Sequence, residues 1–537
     1  MIICSSYEAI LIQIGLEGSS LKTNNIAHNR RILSGLFIGI FIMEIALGIY
    51  YGYFQDFKMQ DAFARTANAF YVFFVAPPRF ASIGLVWNPL PSVLQLPLVF
   101  LSQIWKPLVT HGIAASIISS LFAAGSVVVL FRTFIKLNIS VKYTFLCLFL
   151  YAFNPFIYFY GFNGMSEGIT FFFMIYAESC LILWMKEGEA HYIMRIAFAL
   201  ALAFFCRYEA IPFAAAMGIG VLILLFFGPS VKSGVPAGSI KESYYYAEGT
   251  AIVLYTPLLV AVILWISFNW VISGNPLYFL NSAYSNSAYL SLSSGVSDTP
   301  WEILFYVVEK SLPFIPLFVG IVVVRILNGR LLKYDFFVLL ILSAALIVFH
   351  YIMLLSGSSY GWLRFFAYVL PITFAWLPHE LAEIAKADKV LKFTMSSVII
   401  LSLLVSWGLT LSVLENPQKS PEEHSSMDTT ESRRIAEYID ENLPEERILT
   451  DSFVTGEILV NLKQMSNMVV TASLDFYDCL ENPHKYGITY LLVPDPEEGT
   501  GSLDALNSRY PGLYAGKEEW CTEEMIFTGF KLFKVIY

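Results

Sequence analysis

Three side chains between Gln60 and Phe74 stand out from their surroundings: Asp61, Arg65 and Asn68 lie among alanines and aromatics. No proline or glycine interrupts Gln60–Phe74, so a helix is expected there. At 3.6 residues per turn Asp61, Arg65, Asn68 and Val72 share one face. A carboxylate held there can take the proton of an attacking hydroxyl. A guanidinium fork matches phosphate oxygens. Asp61 and Arg65 can also be read as an i,i+4 ion pair on an exposed helix, worth about 0.3–0.5 kcal/mol. That reading leaves unexplained why the polar face of an apolar helix is so narrow.

Three further residues carry the same chemistry. Glu167 follows the tight turn Asn163-Gly164, with Ser166 placed to cap the next helix. There its charge suits the helix dipole, or it points into a cleft shared with Asp61. Arg207 stands in Phe205-Cys-Arg-Tyr-Glu-Ala210, and Arg364 in Tyr360-Gly-Trp-Leu-Arg-Phe-Phe-Ala-Tyr368. Each arginine either snorkels to the membrane surface or faces a phosphate, and Glu209 offers Arg207 a local partner. Glu44 and Glu178 lie inside apolar runs, where an ionisable group is functional, protonated or paired between helices. His111, His350 and His379 are isolated histidines and read as packing residues.

The elements that must position these groups are membrane helices. The 537 residues are 57% apolar, 16% aromatic and 14% charged, against about 25% charged in a soluble chain. A helix crosses a bilayer with about 20 apolar residues. About eleven such stretches are expected, near 32–54, 108–131, 142–161, 165–185, 192–206, 208–228, 250–272, 307–327, 335–355, 365–385 and 393–414. The short fifth and the sixth are separated by a break at Arg207. The segment after Asn88-Pro-Leu-Pro91, about 92–105, is too short and proline-rich to span and is expected to be interfacial or re-entrant. The amphipathic helix at Gln60–Phe74 is suited to the membrane interface.

Positive charge collects in cytoplasmic loops. With the N-terminus inside, sixteen Lys and Arg residues fall in alternate connections on the inner side. Seven fall outside: Lys58, Arg65, Arg79, Lys106, Arg207, Lys310 and Arg364. This places residues 1–31 in the cytoplasm, a transmembrane domain over 32–414 with its first outer loop at 55–107, and residues 415–537 outside. That tail carries 23 acids and 10 bases, whereas the preceding 414 residues are net positive. Its helix at 431–442 and apolar runs at 447–450, 468–472, 488–493 and 530–537 describe a small soluble α/β domain. Cys479 and Cys521 lie in it, as a disulfide or as two separate buried thiols.

The sequence has no Walker A motif, nucleotide fingerprint or Cys/His cluster at metal spacing, and no nucleic-acid partner is expected. An acid in the first outer loop, a second acid at an outer helix start, outer arginines and an outer C-terminal domain together resemble the GT-C superfamily of polyprenyl-phosphate-sugar-dependent glycosyltransferases. Within it the likeness is to the branch that includes protein O-mannosyltransferases and the lipid A aminoarabinose transferase. The resemblance runs over about 30–385, and the tail is similar to the small α/β domains that end many members. It implies an integral plasma-membrane enzyme of the cell envelope. The donor is then a polyprenyl-phosphate-linked sugar, the acceptor a protein, lipid or glycan on the outer side, and the sugar is inverted.

Residue by residue, the resemblance implies Asp61 as general base and Glu167 as the second acid. Arg207 and Arg364 match the family's basic residues, the latter followed by Tyr368, Leu370 and Pro371. Arg65, Asn68 and Tyr360 complete the expected substrate contacts. Many members carry paired acids in the first loop, but here the sequence is Gln60-Asp61-Ala62, which leaves a divalent metal open. Two alternatives remain: a transporter or flippase of a lipid-linked solute, which needs polar residues near the bilayer midplane, and a non-catalytic scaffold of GT-C shape.

Overall fold

The computed structural model describes residues 23–228, 240–282, 284, 299–427 and 429–536, so most of the segment 1–31 lies outside the described residues. The membrane part comprises α1 (Thr23–Ile49), α2 (Gln60–Phe74), α3 (Leu90–Phe100), α4 (Ile113–Lys136), α5 (Val141–Ala152), α6 (Pro155–Phe162) and α7 (Ser166–Glu187). It continues with α8 (Ala190–Cys206), α9 (Ala210–Phe227), α10 (Ile240–Ser273), α11 (Pro300–Ser311), α12 (Pro316–Leu327), α13 (Tyr334–Leu355), α14 (Val369–Ile384) and α15 (Lys389–Leu414).

Among the described residues seven helices are long and apolar enough to cross a membrane. Two more pairs are bent, α5 with α6 by 68° and α11 with α12 by 85°, and counting each as one span gives nine. Proline explains both bends, since Pro155 and Pro316 open the second helix of each pair and cannot continue a preceding hydrogen-bond ladder. The expected eleven also included α8, with 17 residues, and α14, with 16. Both sit at the short end of the roughly 17–25 residues that cross a bilayer. The break at Arg207 is present: α8 ends at Cys206 and Arg207 is fully extended, with φ −155° and ψ 148°.

Helix α2 has the expected limits, but its apolar face does not lie in lipid. Phe63, Ala67, Phe70 and Tyr71 share one core with Ile435, Ile439, Ile458 and Leu459 of the C-terminal part. The helix is sandwiched between the bundle and that part. Helix α3 pairs with it as a short hairpin, in which Thr66 donates to Gln95 at 2.7 Å and Ser92 to the Arg65 carbonyl at 2.9 Å.

The C-terminal part has α16 (Thr430–Asn442), β1 (Ile448–Leu449), α17 (Ser452–Asn461), β2 (Met468–Val469), β3 (Tyr490–Pro494), β4 (Cys521–Phe527) and β5 (Phe530–Val535). The strand order is β2-β1-β3-β5-β4, with the first three parallel and β5 antiparallel to both neighbours. Strand β4 was not anticipated, because its acids at 523 and 524 break the apolar pattern. Cys479 and Cys521 are both free and buried.

Basic residues of the membrane part tie this unit down. Lys58 is buried against Glu457 at 2.6 Å. Arg79 donates to the Ala472 carbonyl at 2.7 Å, and Lys106 to the Asn461 and Leu462 carbonyls. Asp56 receives Arg433 at 2.8 Å.

Candidate active site

Four segments far apart in sequence bring their charges together at the end of the bundle beneath the α/β unit. Asp61, in the first turn of α2, accepts from Arg364 Nη2 at 2.7 Å. Arg364 sits in a one-turn 3-10 helix, Leu363–Phe366, just before α14. Its Nε lies 3.5 Å from Glu167 Oε1. The same oxygen accepts from Arg207 Nη1 at 2.5 Å, so Glu167 bridges the two arginines. Arg207 also donates through Nε and Nη2 to Glu209 Oε1, at 3.1 and 2.6 Å, and Tyr368 donates to that oxygen at 3.4 Å.

Local backbone makes this possible. Gly164 takes φ +80°, and a Cβ there would sit 2.7 Å from the Cβ of Ala115. Glycine therefore lets the chain turn tightly against α4 and deliver Glu167 into the cleft. Ser166 is not the N-cap expected: Met165 holds that position without a side-chain bond. Ser166 is instead the first helical residue, and its hydroxyl accepts from Arg207 at 3.2 Å. Aromatic rings back the cations. Arg364 lies over Trp362 at 4.4 Å and Phe365 at 5.4 Å, and Arg207 lies 5.7 Å from the same Phe365 ring. His350 stacks on Phe365 at 4.9 Å and 2°.

The side chains of Arg364 and Glu167 are 2% and 0% exposed, whereas Asp61 is 31% exposed and forms the open wall. Burial raises the pKa of Asp61, but the charge and hydrogen bond of Arg364, with Arg65 and Arg207 behind them, outweigh it and hold the carboxyl below its usual range. Asp61 does not pair with Arg65. Arg65 donates to the Asn88 carbonyl at 3.3 Å and packs over Trp87 at 5.0 Å. Asn68 sits farther along α2, facing Gly84. Tyr360 extends the aromatic backing, stacked on Trp362 at 4.5 Å.

No family model and no curated protein matches the sequence. Solved structures do match in three dimensions. ArnT from Cupriavidus metallidurans in the apo state superposes with a TM-score of 0.53 at 11% identity, covering 92% of this chain and 97% of that one. The same protein bound to undecaprenyl phosphate gives 0.51 at 11% identity, over 96% and 98%. The fold is that of ArnT. The likeness spans both the bundle and the C-terminal unit.

Within this ArnT fold, one part of the site was not found from the sequence. Ser420-Pro-Glu-Glu-His424, in the strap between α15 and α16, dips into the cleft. Glu422 Oε1 takes Arg364 Nη2 at 2.9 Å, beside Asp61, and Glu423 accepts from Tyr160 at 2.9 Å. In sequence the paired acids followed by a histidine do not stand out from the rest of an acidic tail. The proline opening a single helical turn right after the last span was the available signal. An apolar cavity of about 190 Å³ opens nearby, lined by Phe80, Leu90, Val93, Phe205, Trp265 and Phe268. It reaches within two residues of Arg207 and of Asn88, the partner of Arg65.

The site does not suit a divalent ion. Asp61, Glu167 and Glu422 all face Arg364, whose guanidinium occupies the position between them. A second acid cluster, Asp335, His379 and Glu380, lies at the opposite end of α13 and α14. There Arg325 bonds both carboxylates and Arg330 joins Asp335 at 3.1 Å. It reads as a buried charge clamp between helix ends.

Proposed function

We propose that this chain is a membrane glycosyltransferase that moves a sugar from a polyprenyl-phosphate donor to an acceptor on the outer side of the membrane. The observation that carries this reading is the convergence of Asp61, Glu167, Arg207 and Arg364 from four separate segments at one end of the bundle. The ArnT-like fold supports it, and so does the fact that ArnT itself is found bound to undecaprenyl phosphate. The apolar cavity, lined in part by Phe205 two residues before Arg207, suits a polyprenyl tail.

The mechanism follows from the charges. The donor phosphate settles against Arg364 and Arg207. Guanidiniums aimed at the leaving oxygen stabilise the charge that develops there. Before the donor binds, Arg364 restrains Asp61. When phosphate engages Arg364, that restraint loosens and the Asp61 carboxylate becomes a better base. It then takes the acceptor proton as the acceptor oxygen attacks the anomeric carbon and the phosphate departs from the opposite face, inverting the centre. Glu167 keeps the two arginines side by side against their mutual repulsion. No step runs through a metal.

The test uses purified protein, a labelled polyprenyl-phosphate sugar and candidate hydroxyl or amine acceptors. Asp61→Asn is expected to lose about 10²–10⁴-fold in transfer, the usual range for a positioned base, while still binding lipid phosphate. Equal transfer by both proteins removes Asp61 from the role of general base. NMR of the product's anomeric proton checks inversion.

A further inference from the structure

Arg364 Nη2 is shared by two carboxyls, Asp61 on one side and Glu422 on the other, at 2.7 and 2.9 Å. The second belongs to the strap that joins the last long helix to the α/β unit. Glu422 is drawn into the site by Pro421–His424, a single turn whose next residue, Glu423, is anchored to Tyr160. The Oε2 atoms of Glu422, Glu423 and Glu167 are all buried and have no hydrogen-bond partner among the described residues. This packing presents a difficulty for any anionic ligand. With Asp61, Glu167, Glu209 and Glu422 all ionised, a phosphate arriving at Arg364 and Arg207 meets more negative charge than positive.

Resting on the site's reading as a lipid-phosphate transferase, we propose that Glu422 is a donor-binding residue that keeps its proton and hydrogen-bonds through it to the donor phosphate. Before the donor arrives its Oε1 accepts from Arg364, while Oε2 carries the hydrogen with no partner and waits for a phosphate oxygen. No covalent bond changes at Glu422, which keeps its proton throughout.

The charges around Glu422 fit this state. Burial pushes its carboxyl up to about 9; Arg364 opposes the shift, while Glu423, Asp61 and Glu167 add to it. Tyr160 from α6 faces the pair as a hydroxyl that donates to Glu423, and the charge of Lys310 on α11 also acts on Glu423. The carboxyl is therefore neutral at pH 7 and becomes an anion as pH rises through about 9. Below that pH it donates to phosphate; above it, it repels.

The experiment measures binding of undecaprenyl phosphate to the full-length protein in detergent, between pH 7.5 and 10.5. A phosphate monoester's second pKa is about 6, so the lipid's charge is constant across this range. Wild-type affinity is expected to hold to about pH 9 and then fall, approaching tenfold per pH unit. Glu422→Gln, whose amide still donates, is expected to bind a few-fold more weakly at pH 7.5 and to lose the alkaline fall. Glu422→Ala is expected to lose about 10- to 100-fold at pH 7.5, the range for a hydrogen bond to a charged group. Thermal unfolding of each variant is recorded alongside.

A fall above pH 9 that persists unchanged in Glu422→Gln overturns the proposal, as does wild-type affinity in a folded Glu422→Ala. If the wild type binds no lipid phosphate at any pH, both the proposal and the functional reading fall. If it binds with the expected profile but transfers no sugar, glycosyl transfer falls and the role of Glu422 stands.

Discussion

Arg364 holds the site together at the residue scale. One guanidinium touches Asp61 and Glu422, approaches Glu167 and lies over Trp362. A lysine keeps the charge but has neither the fork nor the planar face. Arg364→Lys is therefore expected to free Asp61 only in part, to lose about tenfold or more in lipid-phosphate affinity, and to lower transfer further. Binding measured beside turnover separates the two effects. If Lys binds as well as Arg, planarity and the bidentate fork play no part. The four converging residues were legible because each is a charge set in apolar sequence, where a charge is costly and needs a reason. Glu422 was not, because it sits in a tail already rich in acids. The i,i+4 ion pair that helical spacing allows between Asp61 and Arg65 does not form: spacing shows which side chains are near one another, and the guanidinium of Arg364 takes the carboxylate.

At the element scale the decisive piece is α2. Its limits could be read from composition, but the partner of its apolar face could not. The same alanines and aromatics suit lipid or another protein surface equally well, and only tertiary structure chooses. Here they meet the α/β unit, and buried Lys58 pins that contact through Glu457 at 2.6 Å. Removing Lys58 strands Glu457 in a buried position, which typically costs about 3–5 kcal/mol. Burial already raises the Glu457 carboxyl above its ordinary value, against the pull of Lys58. In Lys58→Ala the opposing charge is gone, so the folded pKa rises further above the unfolded one. The penalty is then absent where both states are protonated and grows as pH rises above the unfolded value. Thermal melts should show Lys58→Ala closer to wild type at pH 5 than at pH 8. A pH-independent difference means that the pair contributes by packing alone.

For the whole molecule, the membrane class and the sequential two-part layout were plain in composition and charge. The number of full crossings was less so, because apolar length cannot reveal the bends at Pro155 and Pro316 or the shortness of α8 and α14. One charge pattern from the sequence has a structural counterpart. Lys58, Arg79 and Lys106 bond the α/β unit, Lys310 donates to the Lys419 carbonyl at the start of the strap, and Arg207 and Arg364 line the cleft below it. Arg325 and Arg330 lie at the other end of α13. Cytoplasmic loops collect positive charge, so the end with the seven sparser bases is expected to face outward, carrying the Asp61 site with it. Single cysteines at two exposed positions test this in a Cys4→Ser background, the remaining cysteines being buried. In intact cells a membrane-impermeant maleimide should label Lys463→Cys, on the α/β unit, and label Lys333→Cys only after permeabilisation. The reverse pattern would put Asp61 and the arginines on the cytoplasmic side, and an acceptor outside the cell could not reach them.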